Sequence, residues 1–271
     1  MAPEAFFLSV ANTPEDRRFC LYHAATPLRG ALVYLHPFAE EMNKARRMAA
    51  LQARLLAQHG YAVLQIDLHG CGDSAGDFGD ATWESWLRDA RAAHDWLRGH
   101  CRDVPIWFWG LHSGCLLAAE TARRLSDPVN FLFWQPVLTG KQSVQQFLRM
   151  KVAGDMLSGA AKGAMETLRA ELAAGRSVEI AGYAFSAALA QGLEQAELRP
   201  PALPGRLHWF ELTTRSDATL TPAATQCLQT WQAAGFSVDS AVLPAPSFWQ
   251  STEIEVVPAL LAATLAAVQQ A

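Results

Sequence analysis

The sequence predicts an α/β fold: a mostly parallel sheet with helices on both faces and a helical segment inserted late in the chain. Three observations carry this. Short apolar, β-branched and aromatic runs alternate with longer amphipathic stretches from Ala31 to Trp134, the pattern of a parallel sheet covered on both sides. One of these runs, Pro105-Ile-Trp-Phe-Trp-Gly-Leu111, turns through His112-Ser-Gly114 straight into the alanine-rich stretch Cys115 to Leu125. The alternation stops at about Val137 and resumes only at Leu207.

In chain order, Ala5 to Val10 and Arg17 to His23 read as a hairpin around Ala-Asn-Thr-Pro-Glu-Asp. Ala31 to Leu35 is a short apolar strand ending at His36-Pro37, and a helix follows from about Lys44 to His59 with Gly60 as its stop. Tyr61 to Ile66 is the next strand, and Asp67-Leu-His-Gly-Cys-Gly-Asp-Ser74 is a glycine-rich loop. Trp83 to Gly99 is amphipathic and helical. The strand of the glycine turn and its helix come next, then the strand Asn130 to Trp134, which ends at Gln135-Pro136. From about Val137 to Glu197 the sequence reads as helical, with glycine interruptions and no convincing strand. Leu198-Arg-Pro-Pro-Ala-Leu-Pro-Gly205 is a stiff return. Leu207 to Leu212, a helix over Pro222 to Gly235, Val238 to Leu243 and a helix from Val257 complete the sheet and its cover.

A chain of 271 residues, 51% hydrophobic and 18% charged, is long enough for one large globular unit with an insertion. The expected division is a core of residues 1–136 and 205–271 with residues 137–204 as a helical cap. A net charge of -4 argues against nucleic acid or an anionic membrane as partner. Five irregularly spaced cysteines form neither a disulfide framework nor a zinc pattern, so no metal and no cofactor are expected. The first residues show no basic region followed by an apolar run, and no apolar stretch reaches membrane-spanning length. A cytoplasmic protein with a small-molecule or lipid-like substrate is expected, with a homodimer left open.

Strand, sharp turn and helix make a nucleophile elbow, which holds one side chain at the C-terminal edge of a sheet above a helix N-terminus. In Gly-x-nucleophile-x-Gly the glycines let strand and helix backbones approach. Here Gly110 and Gly114 frame His112, and Ser113 lies one place late. Centring the frame on Ser113 would put Leu111 and Cys115 at the small positions.

The His36-Pro loop, the glycine loop 67–74 and Gly110-Leu-His-Ser-Gly114 together resemble the α/β-hydrolase fold: a mostly parallel central sheet with helices on both faces and an inserted helical cap. More narrowly, three stretches resemble the exosortase A system-associated hydrolase 2 family of Gram-negative bacteria. These are His36-Pro-Phe-Ala-Glu-Glu-Met-Asn-Lys-Ala-Arg-Arg47, Gln65-Ile-Asp-Leu-His-Gly-Cys-Gly-Asp-Ser74 through Phe78-Gly-Asp-Ala-Thr-Trp83, and Pro246-Ser-Phe-Trp-Gln250. That family is associated with exopolysaccharide and protein-sorting gene clusters, and its name implies hydrolysis.

A hydrolase of this fold uses a nucleophile, an acid and a histidine base in that chain order. Ser113 or His112 stands at the elbow, and Asp217 follows the next-to-last sheet strand, where the acid belongs. The last histidine is His208, before Asp217, so the usual triad cannot be completed in the usual order. His36, His69 and His112 each fall at the end of one of three neighbouring strands and are the candidate bases for Ser113. Phe38 and Leu111, or Gly114 if Ser113 is central, are candidate oxyanion donors through their backbone N–H groups. Glu40, Glu41, Gln135, Ser247 and Trp249 are candidate substrate contacts. Two functions remain: a hydrolase or acyltransferase acting on an ester or acyl bond with a non-standard site, or a catalytically degenerate relative that binds a ligand or protein.

Overall fold

A computed structural model describes residues 2–157, 163–215 and 217–270, apart from 11–15. The expected hairpin turn at 11–15 and residues 158–162 of the insertion lie outside the described residues. The elements in order are β1 (Glu4–Ser9), β2 (Arg17–His23), β3 (Gly30–Leu35), α1 (Glu40–Gln58), β4 (Tyr61–Ile66), α2 (Trp83–His100), β5 (Ile106–Leu111), α3 (Ser113–Arg123) and β6 (Asn130–Trp134). Then come α4 (Gly140–Leu157), α5 (Ala164–Ala173), β7 (Val178–Ile180), β8 (Tyr183–Phe185), α6 (Ala187–Gln195), β9 (Arg206–Thr213), α7 (Pro222–Ala233), β10 (Ser237–Pro244) and α8 (Pro258–Gln269).

Eight strands form one sheet in the order β1-β2-β4-β3-β5-β6-β9-β10. β1 and β2 are antiparallel additions at one edge, and the pairs from β4 to β10 are parallel. This is the α/β-hydrolase fold that the sequence predicts. β3 and β5 are buried at every residue, because helices cover both faces. On one face Trp109, Trp134 and Leu111 pack with Met48 and Leu56 of α1 and Leu260 of α8. On the other, Phe108, Phe131 and Phe133 pack with α2, α3, α6 and α7 through Trp86, Leu116, Leu193 and Trp231.

Local chemistry sets the helix starts. Thr82 Oγ1 accepts the Ser85 N–H and Ser85 Oγ accepts the Thr82 N–H, a capping box that fixes where α2 begins. Thr221 caps α7 with Pro222 at its first position. α1 starts at Glu40, earlier than the expected Lys44, and this puts Glu40 and Glu41 in its first turn, where negative charge suits the helix dipole.

The segment between β6 and β9 corrects the expectation of an all-helical insertion. Val178–Ile180 and Tyr183–Phe185 pair as a small antiparallel hairpin. Its turn residues Ala181 and Gly182 have φ of 49° and 83°, the positive pair that suits a two-residue hairpin. The segment packs on itself and on the sheet's cover through glycines. A Cβ on Gly140 would lie 1.6 Å from the Leu193 carbonyl oxygen, and one on Gly192 2.4 Å from Trp83 Cβ, so α4, α6 and α2 approach as only glycine permits.

Candidate functional site

The turn between β5 and α3 decides which side chain reaches the sheet edge. His112 has φ 51° and ψ -117°, a strained conformation for a residue with a side chain. The flanking glycines are sterically required. A Cβ on Gly110 would meet the Cys115 backbone at 2.7 Å, and one on Gly114 would fall 2.1 Å from the Leu35 carbonyl oxygen. The elbow is therefore centred on His112. Gly114→Ala is expected to destabilise the protein on the order of 3 kcal/mol in urea unfolding, because backbone must move. Gly99→Ala, where a Cβ meets nothing within 4 Å near the end of α2, is the control. It should be neutral or stabilising by up to about 1 kcal/mol.

His112 Nδ1–H donates to Glu41 Oε2 at 2.9 Å, across from the first turn of α1. Glu41 Oε1 accepts from Gln250 Nε2 at 3.2 Å. The carboxylate can only accept, so Nδ1 carries a proton, and in the neutral ring the lone pair is on Nε2. Nε2 has no hydrogen-bond partner among the described residues. The indole of Trp249 lies against the ring, centroids 4.9 Å apart. These groups border a cavity of about 300 Å³. Its floor includes Phe38, Glu40, Glu41 and His112, and its far wall comes from α4 through Gln146, Phe147 and Met150. The wall is largely apolar, with Met150 exposed at the rim.

The other sequence candidates fall in different places. Ser113 is the first residue of α3, 3% exposed, and is not on the cavity wall. His36 has no spare nitrogen: Nε2 accepts the Leu68 N–H at 3.1 Å and Nδ1–H donates to the Pro37 carbonyl at 2.6 Å. Burial holds its pKa below the ordinary value. The His69 ring lies against Gly76, while its backbone N–H donates to Asp89 and its carbonyl accepts from Trp86 Nε1. Strand ends place these histidines close in topology, but ring hydrogen bonds turn His36 into the fold, and the His69 ring packs on Gly76 with Nδ1 buried and without a partner among the described residues.

Asp217 is exposed and paired with Arg215 at 3.6 Å. Gln135 uses Oε1 to accept the Leu212 N–H at 2.6 Å and so ties β6 to β9. Ser247 lies in the turn before Trp249, off the cavity wall. Leu111 ends β5 fully buried, and Gly114 packs on the β3 carbonyls. Glu40 Oε2 accepts from Asn43 Nδ2 and from the Tyr183 hydroxyl, both at 3.2 Å, linking α1 to the β7–β8 hairpin. Asp67 organises the glycine loop, accepting the Asp73 N–H and an Arg46 N–H. Sequence reasoning missed the Glu41–His112 pair, because nothing local joins residues 71 apart. It also missed Gln250 and the α4 wall. No group of three potential metal ligands occurs among the described residues.

The state of His36 has a measurable consequence. A histidine held neutral in the fold, with its pKa lowered from 6.5, leaves the unfolded chain to bind the extra proton below about pH 6.5. Stability is then complete above that pH and falls as pH drops through it. Burial lowers His23, His69 and His208 in the same direction. Urea unfolding at pH 7.5 and 5.5 should show lower stability at the acid value, and His36→Gln should reduce the difference.

A family model described as serine aminopeptidase, S33, matches residues 26–172, more than half of the chain. Human "Protein ABHD12B" is 32% identical over 111 residues, 40% of this chain and 29% of that protein. The "Lysophosphatidylserine lipase ABHD12" of Xenopus tropicalis is 29% identical over 96 residues, 35% of this chain and 24% of that one. The chain thus spans under a third of the length of these curated relatives. The solved structure of Est1E from Butyrivibrio proteoclasticus with ferulic acid bound has a TM-score of 0.67 at 12% identity, covering 98% of each chain. That likeness concerns the fold.

Proposed function

The chain belongs to the serine aminopeptidase S33 family of α/β-hydrolases, and on that premise we propose that it cleaves an ester or acyl bond of a small or lipid-like substrate. The observation that carries this is the Glu41–His112 pair at the elbow, with Nε2 left for an apolar cavity. His112 is the reacting group in this reading. Glu41 fixes its tautomer and balances positive charge that develops on the ring, and Gln250 holds Glu41. The developing oxyanion would be held by the backbone N–H groups of Phe38 and of Ser113, the residue after the elbow position, in place of Leu111 and Gly114. Residues 137–204 form a cap over the core of 1–136 and 205–271, with α4 shaping the acyl end of the cavity. Phe38, Phe147, Met150 and Trp249 suit an alkyl chain, which agrees with the lipase named among the relatives. A link to exopolysaccharide or exosortase systems is part of this proposal and rests on the three stretches that resemble that family.

The test is hydrolysis of p-nitrophenyl acetate and hexanoate. The hexanoate should be preferred, and Glu41→Gln should lower turnover by about 10²–10⁴-fold. One observation favours a second reading, a binding module: Trp249 occupies the loop where the base histidine belongs. Saturable binding of hexanoate with no turnover of either ester would support it and overturn the first.

A further inference from the structure

Two departures from a serine triad occur together here, and one chemical fact accounts for both. The elbow holds an imidazole instead of a hydroxyl, and the loop after β10 presents Trp249 instead of a histidine. A serine hydroxyl must lose a proton to attack, so it needs a base. A neutral imidazole attacks with the Nε2 lone pair and needs none. The titratable side chains on the cavity wall, His112 aside, are Glu40, Glu41 and Lys44. Glu41 is taken by His112 Nδ1 and Gln250, Glu40 by Tyr183 and Asn43, and Lys44 Nζ donates to the Thr252 carbonyl at 2.8 Å. No second imidazole or carboxyl partners Nε2 among the described residues.

From this geometry we propose that His112 is a covalent nucleophile that takes acyl groups from activated donors, acyl thioesters above all, and passes them to water or an acceptor. This deepens the hydrolase reading and rests on it. Nε2 forms a bond to the thioester carbonyl carbon. The tetrahedral adduct collapses by breaking the C–S bond, and the electron pair leaves on the thiolate. An acyl-imidazolium remains, its Nδ1–H still donated to Glu41. Water, an alcohol or an amine then attacks the acyl carbon. Its proton ends on the thiolate or in bulk water, and Nε2 recovers its lone pair. The donor class follows from the leaving groups. A thiol with a pKa near 8.5 leaves as its anion without help. An alkoxide is a far stronger base than imidazole, so an alkyl-ester adduct would expel the imidazole and revert.

The probes are the hexanoyl thioester of N-acetylcysteamine, p-nitrophenyl hexanoate and ethyl hexanoate. Acid quench in the first turnover should show one added hexanoyl group by intact mass, mapped to His112 and absent in His112→Ala. Turnover of the thioester should exceed that of the ethyl ester by about 100-fold. With hydroxylamine present, thioester and p-nitrophenyl ester should give the same ratio of hydroxamate to acid, since both pass through one acyl-protein. Free imidazole should restore part of the thioester cleavage to His112→Ala. Turnover with no adduct and a leaving-group-dependent ratio would overturn the covalent step while leaving the hydrolase reading intact. A hexanoyl group mapped to Ser113 would overturn it as well. No turnover of any probe would end both.

Discussion

His112→Ala is expected to lower turnover of p-nitrophenyl hexanoate by about 10²–10⁴-fold, while Ser113→Ala changes it by only a few-fold. The contrast follows from placement. His112 sits at the strained centre of the elbow, its Nδ1–H held by Glu41 and its other nitrogen left for the cavity. Ser113 begins α3, is buried and is off the cavity wall. Its backbone N–H can assist an oxyanion whatever its side chain. Steady-state kinetics on both variants, with unfolding curves to show that each is folded, make the comparison. His112→Ala should cost about 1–2 kcal/mol of stability, because Glu41 loses the Nδ1–H and Trp249 its ring contact while the strained φ remains.

Asp89→Ala is expected to cost about 3–5 kcal/mol of stability, measured by urea unfolding at pH 7. Asp89 Oδ1 accepts from Arg18 Nε at 2.8 Å, with the two side chains 0% and 1% exposed. Oδ2 accepts the His69 N–H at 2.7 Å. Burial pushes the carboxyl up to about 6 against the pull of Arg18 and that N–H. Removing the carboxylate strands a buried guanidinium whose other partners are the Arg17 carbonyl and the part-exposed Asp16, and leaves an amide of the glycine loop without its acceptor. Asp89→Asn, which keeps an acceptor and loses the charge, should fall between the two. The same variant should weaken activity less than stability, because Asp89 lies away from the cavity.

The sheet was legible because its central strands β3 and β5 are unbroken apolar runs, the mark of strands covered on both faces. The elbow was legible from Gly110 and Gly114, whose spacing names His112 as its centre. The β7–β8 hairpin was not seen: its three-residue strands are too short to outweigh the helical residues around them, though Val178-Glu-Ile180 and Tyr183-Ala-Phe185 alternate and the turn residues Ala181-Gly182 stand between them. The site was half legible. Topology brings His36, His69 and His112 to adjacent strand ends, but the direction of each ring depends on loop contacts, hydrogen bonds to Leu68 and Pro37 for His36 and packing on Gly76 for His69, which no periodicity reports. Glu41 reads as a first-turn helix acid, and only the crossing of α1 over the elbow makes it the partner of His112. Asp217 stood in the right place along the chain for an acid, yet the turn after β9 carries it into solvent beside Arg215.

The most direct measurement is carbethoxylation of the folded protein with diethylpyrocarbonate, followed in parallel by peptide mapping and by turnover of p-nitrophenyl hexanoate. His112 should be modified at the rate at which turnover is lost, hexanoate should slow both, and His36, with both ring nitrogens engaged inside the fold, should stay unmodified. Full modification of His112 with turnover retained would show that the reacting group lies elsewhere.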